Sequence, residues 1–187
     1  KGAGPFKIKC TMWREGSKVI LDFDGTDPQS DSSINFYLNE NMFKMFFGIY
    51  MIMVFDPQVM FNDGFYDLVD VRIPEGSLLK PKFPAALSCR THALGRIFDV
   101  LGALLGQKTP EFLCAAGFSS SPHLMFSGFD GKGEWFQLFQ IGFGGIPGRP
   151  FGDGADGHSL WPGFTNVPNE FLERYFPMVI ERYESVA

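Results

Sequence analysis

The sequence FKIKCTMWREGSKVILDF, residues 6–23, predicts an antiparallel pair of β-strands at the start of the chain. The strands are Phe6–Trp13 and Lys18–Phe23, and residues 14–17 form a turn in which Gly16 supplies a positive φ. Apolar side chains recur at alternate positions of the second strand, so one of its faces is buried.

The sequence predicts two main helices. Ser32 or Ser33 is the predicted N-cap of a helix over residues 33–55, which Asp56-Pro57 ends because the residue before a proline avoids the α region. The spacing of its large apolar residues is helical, and the run Met45–Phe55 is too short to cross a bilayer, so it is a core helix. A second amphipathic helix spans residues 91–106, with Gly106 as its C′ residue.

The remaining segments alternate between strand and loop. Leu68–Ile73 is a short strand, and residues 123–141 form a second hairpin, with strands His123–Ser127 and Glu134–Ile141. A glycine-rich loop occupies residues 142–166, and a helix and a strand occupy residues 167–186. This order predicts an α+β fold with mixed or antiparallel strands and two main helices. We treat residues 1–187 as a single segment.

Composition excludes some functions. The chain has 187 residues, a net charge of −5 and 16 scattered basic residues, so we predict no binding of nucleic acid, which requires clustered Lys and Arg. Phenylalanine is over-represented, with 22 residues, and such a surplus of apolar surface predicts contact with other domains or subunits. The chain begins at Lys1 and ends directly after a predicted strand, so we expect it to be an internal piece of a longer, multidomain subunit.

The three cysteines suggest a reducing compartment. Cys10, Cys89 and Cys114 are odd in number, far apart and in no CxxC pair, which disfavours both a disulfide framework and a zinc site. We expect free thiols in a cytoplasmic protein without a membrane segment.

Ionisable residues are concentrated in the glycine-rich stretch 142–168, where eight of 27 residues are glycine. Such a loop lets a ligand approach the backbone closely. Asp153, Asp156 and His158 lie close enough to serve a cation that prefers oxygen ligands, or else they cap turns, which is the commoner role. Its glycines do not form a complete GxGxxG, because Pro147 replaces the third glycine, and GxxxxGK[ST] and GxSxG are absent.

Other candidates lie outside that loop. Thr91 and His92 begin the second helix, where free amide groups can hold an anion, or where the two residues simply cap the helix. His92, His123 and His158 are separated by more than 30 residues, without the HxH or HxxxH spacing of a metal site. From the residues alone, the sequence predicts a site for an anion or a metal ion. These residues do not identify a reaction.

An ordered set of motifs is more specific. These motifs are FDGTDPQ at 23–29, VRIPEGS at 71–77, DGH at 156–158, TNVPNE at 165–170 and YFP at 175–177. In this order they resemble the hydantoinase B/oxoprolinase family. Within that family, Ile34–Asp56, Arg90–Arg96 and Phe136–Arg149 are most similar to the alpha subunit of acetone carboxylases.

The resemblance implies an ATP-dependent carboxylase that converts acetone and bicarbonate to acetoacetate. It further implies a hydantoinase A-like beta subunit that uses ATP and Mg, a small gamma subunit, and manganese in the remainder of the alpha subunit. The family's His/Asp metal-ligand motif has no match in this chain, so we assign no metal ligand and expect no cofactor to be bound by this segment.

The resemblance suggests Asp156, His158, Asn166 and Glu170 as site residues, and the residue patterns above add His92, His123 and Arg149. Asp156 and His158 are the candidate catalytic residues, from the DGH motif. The candidate substrate-binding or supporting residues are His92, His123, Arg149, Asn166 and Glu170. Two alternatives remain open: an ATP-dependent hydantoinase or oxoprolinase-type ring hydrolase, and a segment that only supports assembly.

Overall fold

The computed structural model describes residues 4–54, 58, 61–112, 115–117, 122–142, 144–145, 147–154 and 166–184. The elements in chain order are β1 (Thr11–Glu15), β2 (Lys18–Asp22), α1 (Glu40–Val54), α2 (Asp63–Leu68), β3 (Val69–Arg72), α3 (Arg90–Gly106), a 3-10 turn (Pro110–Phe112), β4 (His123–Phe129), β5 (Trp135–Ile141) and α4 (Asn169–Tyr175). The α+β class with mixed strands is confirmed.

The turn of the first hairpin is shorter than predicted. Glu15 pairs with Lys18, so the turn is only Gly16 and Ser17, and Gly16 has the positive φ (60°) that a two-residue turn requires. The first strand begins at Thr11 and not at Phe6. The segment before it is held by the turn after β2, since Asp27 accepts a hydrogen bond from the Lys7 amide at 2.7 Å.

The sheet has three strands in the order β1-β2-β3. β2 runs antiparallel to β1 and parallel to β3, with Val19 opposite Val69 and Leu21 opposite Val71. Helices α1 and α3 supply apolar side chains to the buried core on one face of this sheet. Aromatic contacts join these elements: Phe23, just after β2, meets Phe43 of α1 edge-on at 4.9 Å between centroids, and Tyr50 of α1 stacks on Phe98 of α3 at 5.4 Å.

Helix α1 begins seven residues later than predicted, at Glu40. The side chain of Asn39 accepts a hydrogen bond from the amide of Met42 at 2.8 Å, which caps the first turn. The prediction of Ser32 or Ser33 as the cap is therefore wrong. Residues 30–39 form an irregular segment that lies alongside residues 77–86. Phe36, which was predicted on the helix, is buried within that segment.

A buried amide side chain fixes this segment. Asn35 is fully buried; its oxygen accepts from the Ser30 amide, and its nitrogen donates to the carbonyls of Ser30, Ser32 and Ala86. Backbone hydrogen bonds from Phe36 and Leu38 to residues 78 and 79 continue the contact. The partners in residues 78–86 lie 41 to 51 positions along the chain, which is why local spacing did not reveal them.

Helix α2 was not predicted. It spans six residues immediately before β3 and includes Leu68, which the sequence analysis placed in the strand. Asn62 caps it by accepting a hydrogen bond from the Gly64 amide at 2.9 Å. Helix α3 lies one residue from its predicted start; Gly106 is its last helical residue, and Gln107 takes the C-cap position in the right-handed region.

The second hairpin joins β4 and β5 over the predicted residues; β4 extends two residues beyond its predicted end, and β5 begins one residue later than predicted. The carboxylate of Asp130 accepts hydrogen bonds from the amides of Lys132 and Glu134, and Gly133 has φ 82°, so the turn is fixed locally. Among the described residues, no third strand joins this pair.

The C-terminal prediction is half wrong. A helix is present at Asn169–Tyr175, but Pro168 is its N-cap residue and Asn166 does not cap it. The strand predicted over Met178–Glu184 is absent, because these residues have no ladder partner in the described part of the chain. The Ile180 amide instead donates to the Glu173 carboxylate at 2.8 Å.

Within the residues described, no helix combines the length and the apolar character needed to cross a membrane.

Candidate functional site

Two of the predicted site histidines lie together. His92 is in the first turn of α3, and His123 is the first residue of β4. Their ring centroids are 6.0 Å apart at an interplanar angle of 40°. The fold therefore brings two imidazoles into contact that sequence spacing left unconnected.

His123 is held from its other side by an aromatic ring. Phe139 of β5 meets it edge-on, with 5.1 Å between centroids. The Nε2 atom of His123 is buried and has no hydrogen-bond partner within the described residues, and the same holds for Oγ1 of Thr91. An unsatisfied buried polar atom costs about 1–3 kcal/mol, so each of these atoms calls for a water or ligand partner.

A cavity of about 320 Å³ opens beside His92. Its walls are largely apolar, and its two polar side chains, His92 and Arg96, lie one helical turn apart on α3. The lining residues are Phe6, Ile8, Ile34, Leu78, His92, Ala93 and Arg96. A space of this kind suits a small, mostly apolar molecule that carries one polar or anionic group.

The direction of Arg96 is fixed by a chain of contacts. Its Nη1 donates to Oδ2 of Asp99 at 2.7 Å, and Oδ1 of Asp99 accepts the Gly117 amide, also at 2.7 Å. The Asp99 side chain is mostly buried, whereas Arg96 is 55% exposed, so Asp99 is the anchored partner and orients one edge of the guanidinium. A guanidinium has five donor N–H groups, and one bond to Asp99 leaves others for a carboxylate, a phosphate or a carbonyl oxygen.

The sequence analysis missed Arg96, Asp99 and Gly117. The i, i+4 spacing of His92 and Arg96 in the predicted helix was an available signal for the first of them. No local signal connects Asp99 to Gly117, because the two residues are 18 positions apart and meet only in the folded chain.

Three other candidates lie within the described residues, and no described contact links them to this group. Arg149 is exposed and lies in a short turn, where its amide donates to the Gly152 carbonyl. Asn166 and Glu170 are exposed near the start of α4. Within the described residues, no hydrogen bond or ion pair joins these three side chains to His92 or His123. Asp156 and His158 lie outside the described residues.

Metal and thiol chemistry find little support in the described part of the chain. No three His, Cys, Asp or Glu side chains there converge as a metal site, so the manganese that the family resemblance implies does not fit these residues. Burial raises the pKa of the Cys10 thiol to about 12, with a further contribution from the charge of Asp22. A thiol with that pKa stays neutral and unreactive at physiological pH.

Comparison with known proteins identifies the relatives of this chain. The model of the hydantoinase B/oxoprolinase family matches residues 1–187. A putative D-/L-hydantoinase subunit from a Pseudomonas species (strain NS671) is 27% identical over 185 residues, which are 95% of this chain and 31% of that protein. A 5-oxoprolinase of Pestalotiopsis fici is 27% identical over 115 residues, which are 62% of this chain and 9% of that protein.

A solved structure shares the fold. The structure of the ATP-dependent caprolactamase from Pseudomonas jessenii matches with a TM-score of 0.78 at 21% identity, over 95% of this chain and 31% of that one. The chain therefore spans about a third of the length of the hydantoinase relative and of the caprolactamase chain.

Proposed function

Because the chain belongs to the hydantoinase B/oxoprolinase family, we propose that it forms part of the catalytic subunit of an ATP-dependent enzyme acting on a small carbonyl compound. The family model matches the whole chain, and this observation carries the proposal. The matched hydantoinase relative is itself named as one subunit of its enzyme, which supports a multi-subunit assembly.

The finer proposal is a ketone carboxylase that converts acetone and bicarbonate to acetoacetate. It rests on the similarity of three stretches to the alpha subunit of acetone carboxylases, and two of these stretches line the cavity beside His92. Ile34 comes from the first stretch; His92, Ala93 and Arg96 come from the second. Apolar walls suit a three-carbon ketone, and a guanidinium suits bicarbonate or a product carboxylate.

The proposed partners follow from this assignment. A hydantoinase A-like beta subunit uses ATP and Mg to activate the substrates by phosphorylation, and a small gamma subunit completes the complex. Manganese belongs to the remainder of the alpha subunit, outside these 187 residues. We place the enzyme in the cytoplasm, because its reaction consumes ATP.

An ATP-dependent ring hydrolase is the second candidate. The names of the relatives favour it, since they are a hydantoinase, a 5-oxoprolinase and a caprolactamase. The same cavity suits a small cyclic amide, whose ring opening yields a carboxylate that Arg96 could bind.

Two assays with the full complex separate these reactions. The first measures acetone-dependent incorporation of labelled bicarbonate into acetoacetate in the presence of ATP. The second measures ATP-dependent opening of hydantoin, 5-oxoproline and caprolactam. We expect turnover in the first assay only. Turnover in the second assay without fixation of bicarbonate would overturn the carboxylase in favour of the hydrolase.

Single variants test whether this segment takes part in the chemistry. We expect His92→Gln and Arg96→Met to raise the KM for the anionic substrate, and Asp156→Ala and His158→Ala to lower kcat. Lys132→Met, in the exposed turn of the second hairpin, is the matched control. Unchanged turnover in all four variants would favour the third possibility, a segment that only supports assembly.

A further inference from the structure

The β4–β5 hairpin exposes one strongly apolar face. Met125 lies opposite Phe139, Phe129 opposite Trp135, and His123 opposite Ile141, so these side chains share one side of the ribbon. We call the set Met125, Phe129, Trp135, Phe139 and Ile141 the outer face. All five side chains are exposed, by 38% to 73%. They lie on both sides of the exposed polar pair Ser127 and Gln137. Surface hydrophobics scattered singly are ordinary, but five large ones on one face of a short hairpin mark an interaction site.

The opposite face attaches the hairpin to the rest of the chain. Leu138 is buried, and the ring of Phe136 lies 6.5 Å from that of Phe176, beyond the end of α4. This opposite face is itself only partly covered, since Leu124 and Phe126 are exposed by 53% and 51%. On the outer side, His123 at one end of the ribbon contacts His92 of α3, and the rest of the outer face is uncovered within the described residues. Two-stranded ribbons are marginal alone and gain stability when a further layer covers the free face.

We propose that the outer face packs against another part of the same family subunit, from the roughly two-thirds of its length that lies beyond this segment. This chain covers 31% of the hydantoinase relative and 31% of the caprolactamase chain, so such a subunit has ample chain to supply the covering layer. The proposal needs only the family membership and not the identity of the reaction.

The size of the outer face favours a covering segment from the same subunit over a second copy of the chain. Five half-exposed large side chains offer roughly 500 Å² of surface, taking roughly 100 Å² each. A stable complex between separate chains buries roughly 800 Å² per partner. A contact of the smaller size holds when the chain connects both sides, because the connection keeps their effective concentration high.

The same contact completes the surroundings of the histidine pair. Phe139 belongs to the outer face and also packs against His123. A segment that packs on Phe139 therefore also shields the ring of His123, whose Nε2 is buried, from solvent on that side. The proposed interface and the candidate site share this side chain, so their formation is coupled.

Thiol labelling of the full-length subunit tests the proposal. Phe129→Cys and, separately, Met125→Cys are labelled with a maleimide, and the rate for each labelled peptide is measured by mass spectrometry relative to the denatured subunit. Phe83→Cys is the reference, because Phe83 is 98% exposed and lies outside the hairpin. We expect both outer-face cysteines to react at least tenfold more slowly than the reference. Equal rates would overturn the proposal.

Two further measurements identify what covers the face. Protection that disappears on dilution would assign the contact to a second copy, and protection that requires an added partner subunit would assign it to that subunit; either result overturns the proposal. In the Phe129→Cys background, Trp135→Asp should restore labelling by about tenfold, whereas Lys132→Asp in the adjacent turn should not. Should Phe129→Cys fail to fold, Met125→Cys alone decides.

Discussion

The sheet β1–β3 with helices α1 and α3 and the hairpin β4–β5 differ in how each buries its apolar side chains. In the first region, Phe23, Phe43 and Leu101 are almost fully buried by partners from the same 187 residues. In the second, Phe129 and Trp135 are mostly exposed, although both belong to regular strands. The first region is stabilised by its own sequence. The second has regular secondary structure but requires a covering layer from elsewhere.

Truncating a core ring should have the largest effect. Phe43 is 1% exposed and packs edge-on against Phe23, so Phe43→Ala should lower the free energy of unfolding by about 4 kcal/mol. The counterpart Phe129→Ala should change it by less than about 0.5 kcal/mol in this chain, because little burial is lost. Urea denaturation of both variants measures the difference. Similar losses would show that the hairpin is buried as well as the core.

Removing the buried amide of Asn35 should cost slightly less. Asn35→Ala leaves the Ser30 amide and three carbonyl oxygens without their partner, so we expect a loss of about 3 kcal/mol. Asp130→Ala removes two hydrogen bonds at the exposed turn of the hairpin, where water replaces them, and should cost less than about 1 kcal/mol. Thermal unfolding of the two variants checks the order, and a reversed order would contradict it.

Adding one methyl group should distinguish a tight helix contact from an open turn. A Cβ on Gly102 would lie 2.5 Å from the Tyr50 hydroxyl, and the Tyr50 ring is buried and stacked on Phe98. We expect Gly102→Ala to destabilise the chain by about 2 kcal/mol. Gly131 in the hairpin turn has no atom within 4 Å of the same position, so Gly131→Ala should be neutral. An equal effect of both changes would argue against the close contact of α1 with α3.

The smallest effect should depend on pH. Glu40 accepts a hydrogen bond from Lys80 at 2.7 Å, which lowers the pKa of Glu40 and raises that of Lys80. Glu40→Gln should therefore lower the melting temperature at neutral pH, by the equivalent of less than about 1 kcal/mol because the pair is partly exposed. The contribution of Glu40 is fully present above the ordinary pKa of Glu and is lost as the pH falls through the lowered value.

Lys80 sets the pH dependence of stability at the alkaline end. Its contribution is fully present below the ordinary pKa of Lys and is lost as the pH rises through the raised value. In a Lys80→Met background, the difference that Glu40→Gln makes to the melting temperature between pH 7 and acid pH should shrink to the smaller part due to the backbone hydrogen bond of Glu40 and the charge of Lys44. An undiminished difference would show that the pH dependence of Glu40 has another origin.

Local patterns predicted elements well where their causes are local. Helix α3 and both hairpin turns follow from spacing, glycine and the Asp130 side chain. The start of α1 does not, because Phe36 continues the helical spacing of apolar residues while the backbone around it pairs with residues 78 and 79. The predicted strand Met178–Glu184 failed for the converse reason: its alternation is real, but an alternating segment is a strand only when another strand pairs with it.

The candidate site shows the same limit. The residue types were recognisable, since His92 and His123 were selected before the fold was known. Their contact and the Arg96–Asp99–Gly117 chain depend on how α3 packs against later segments, which one sequence does not reveal. In the glycine-rich loop, Arg149 is exposed, and no hydrogen bond or ion pair among the described residues joins its side chain to His92 or His123.

The parallel pairing of β2 with β3 has a consequence for how the molecule assembles. Val19 faces Val69, so this ladder closes only after the intervening chain, including all of α1, has been synthesised and positioned. Contacts between residues so far apart carry a large entropic cost and slow folding. A nascent chain would hold β1 and β2 as a lone ribbon with an open edge until β3 leaves the ribosome, and during that interval it is most exposed to aggregation.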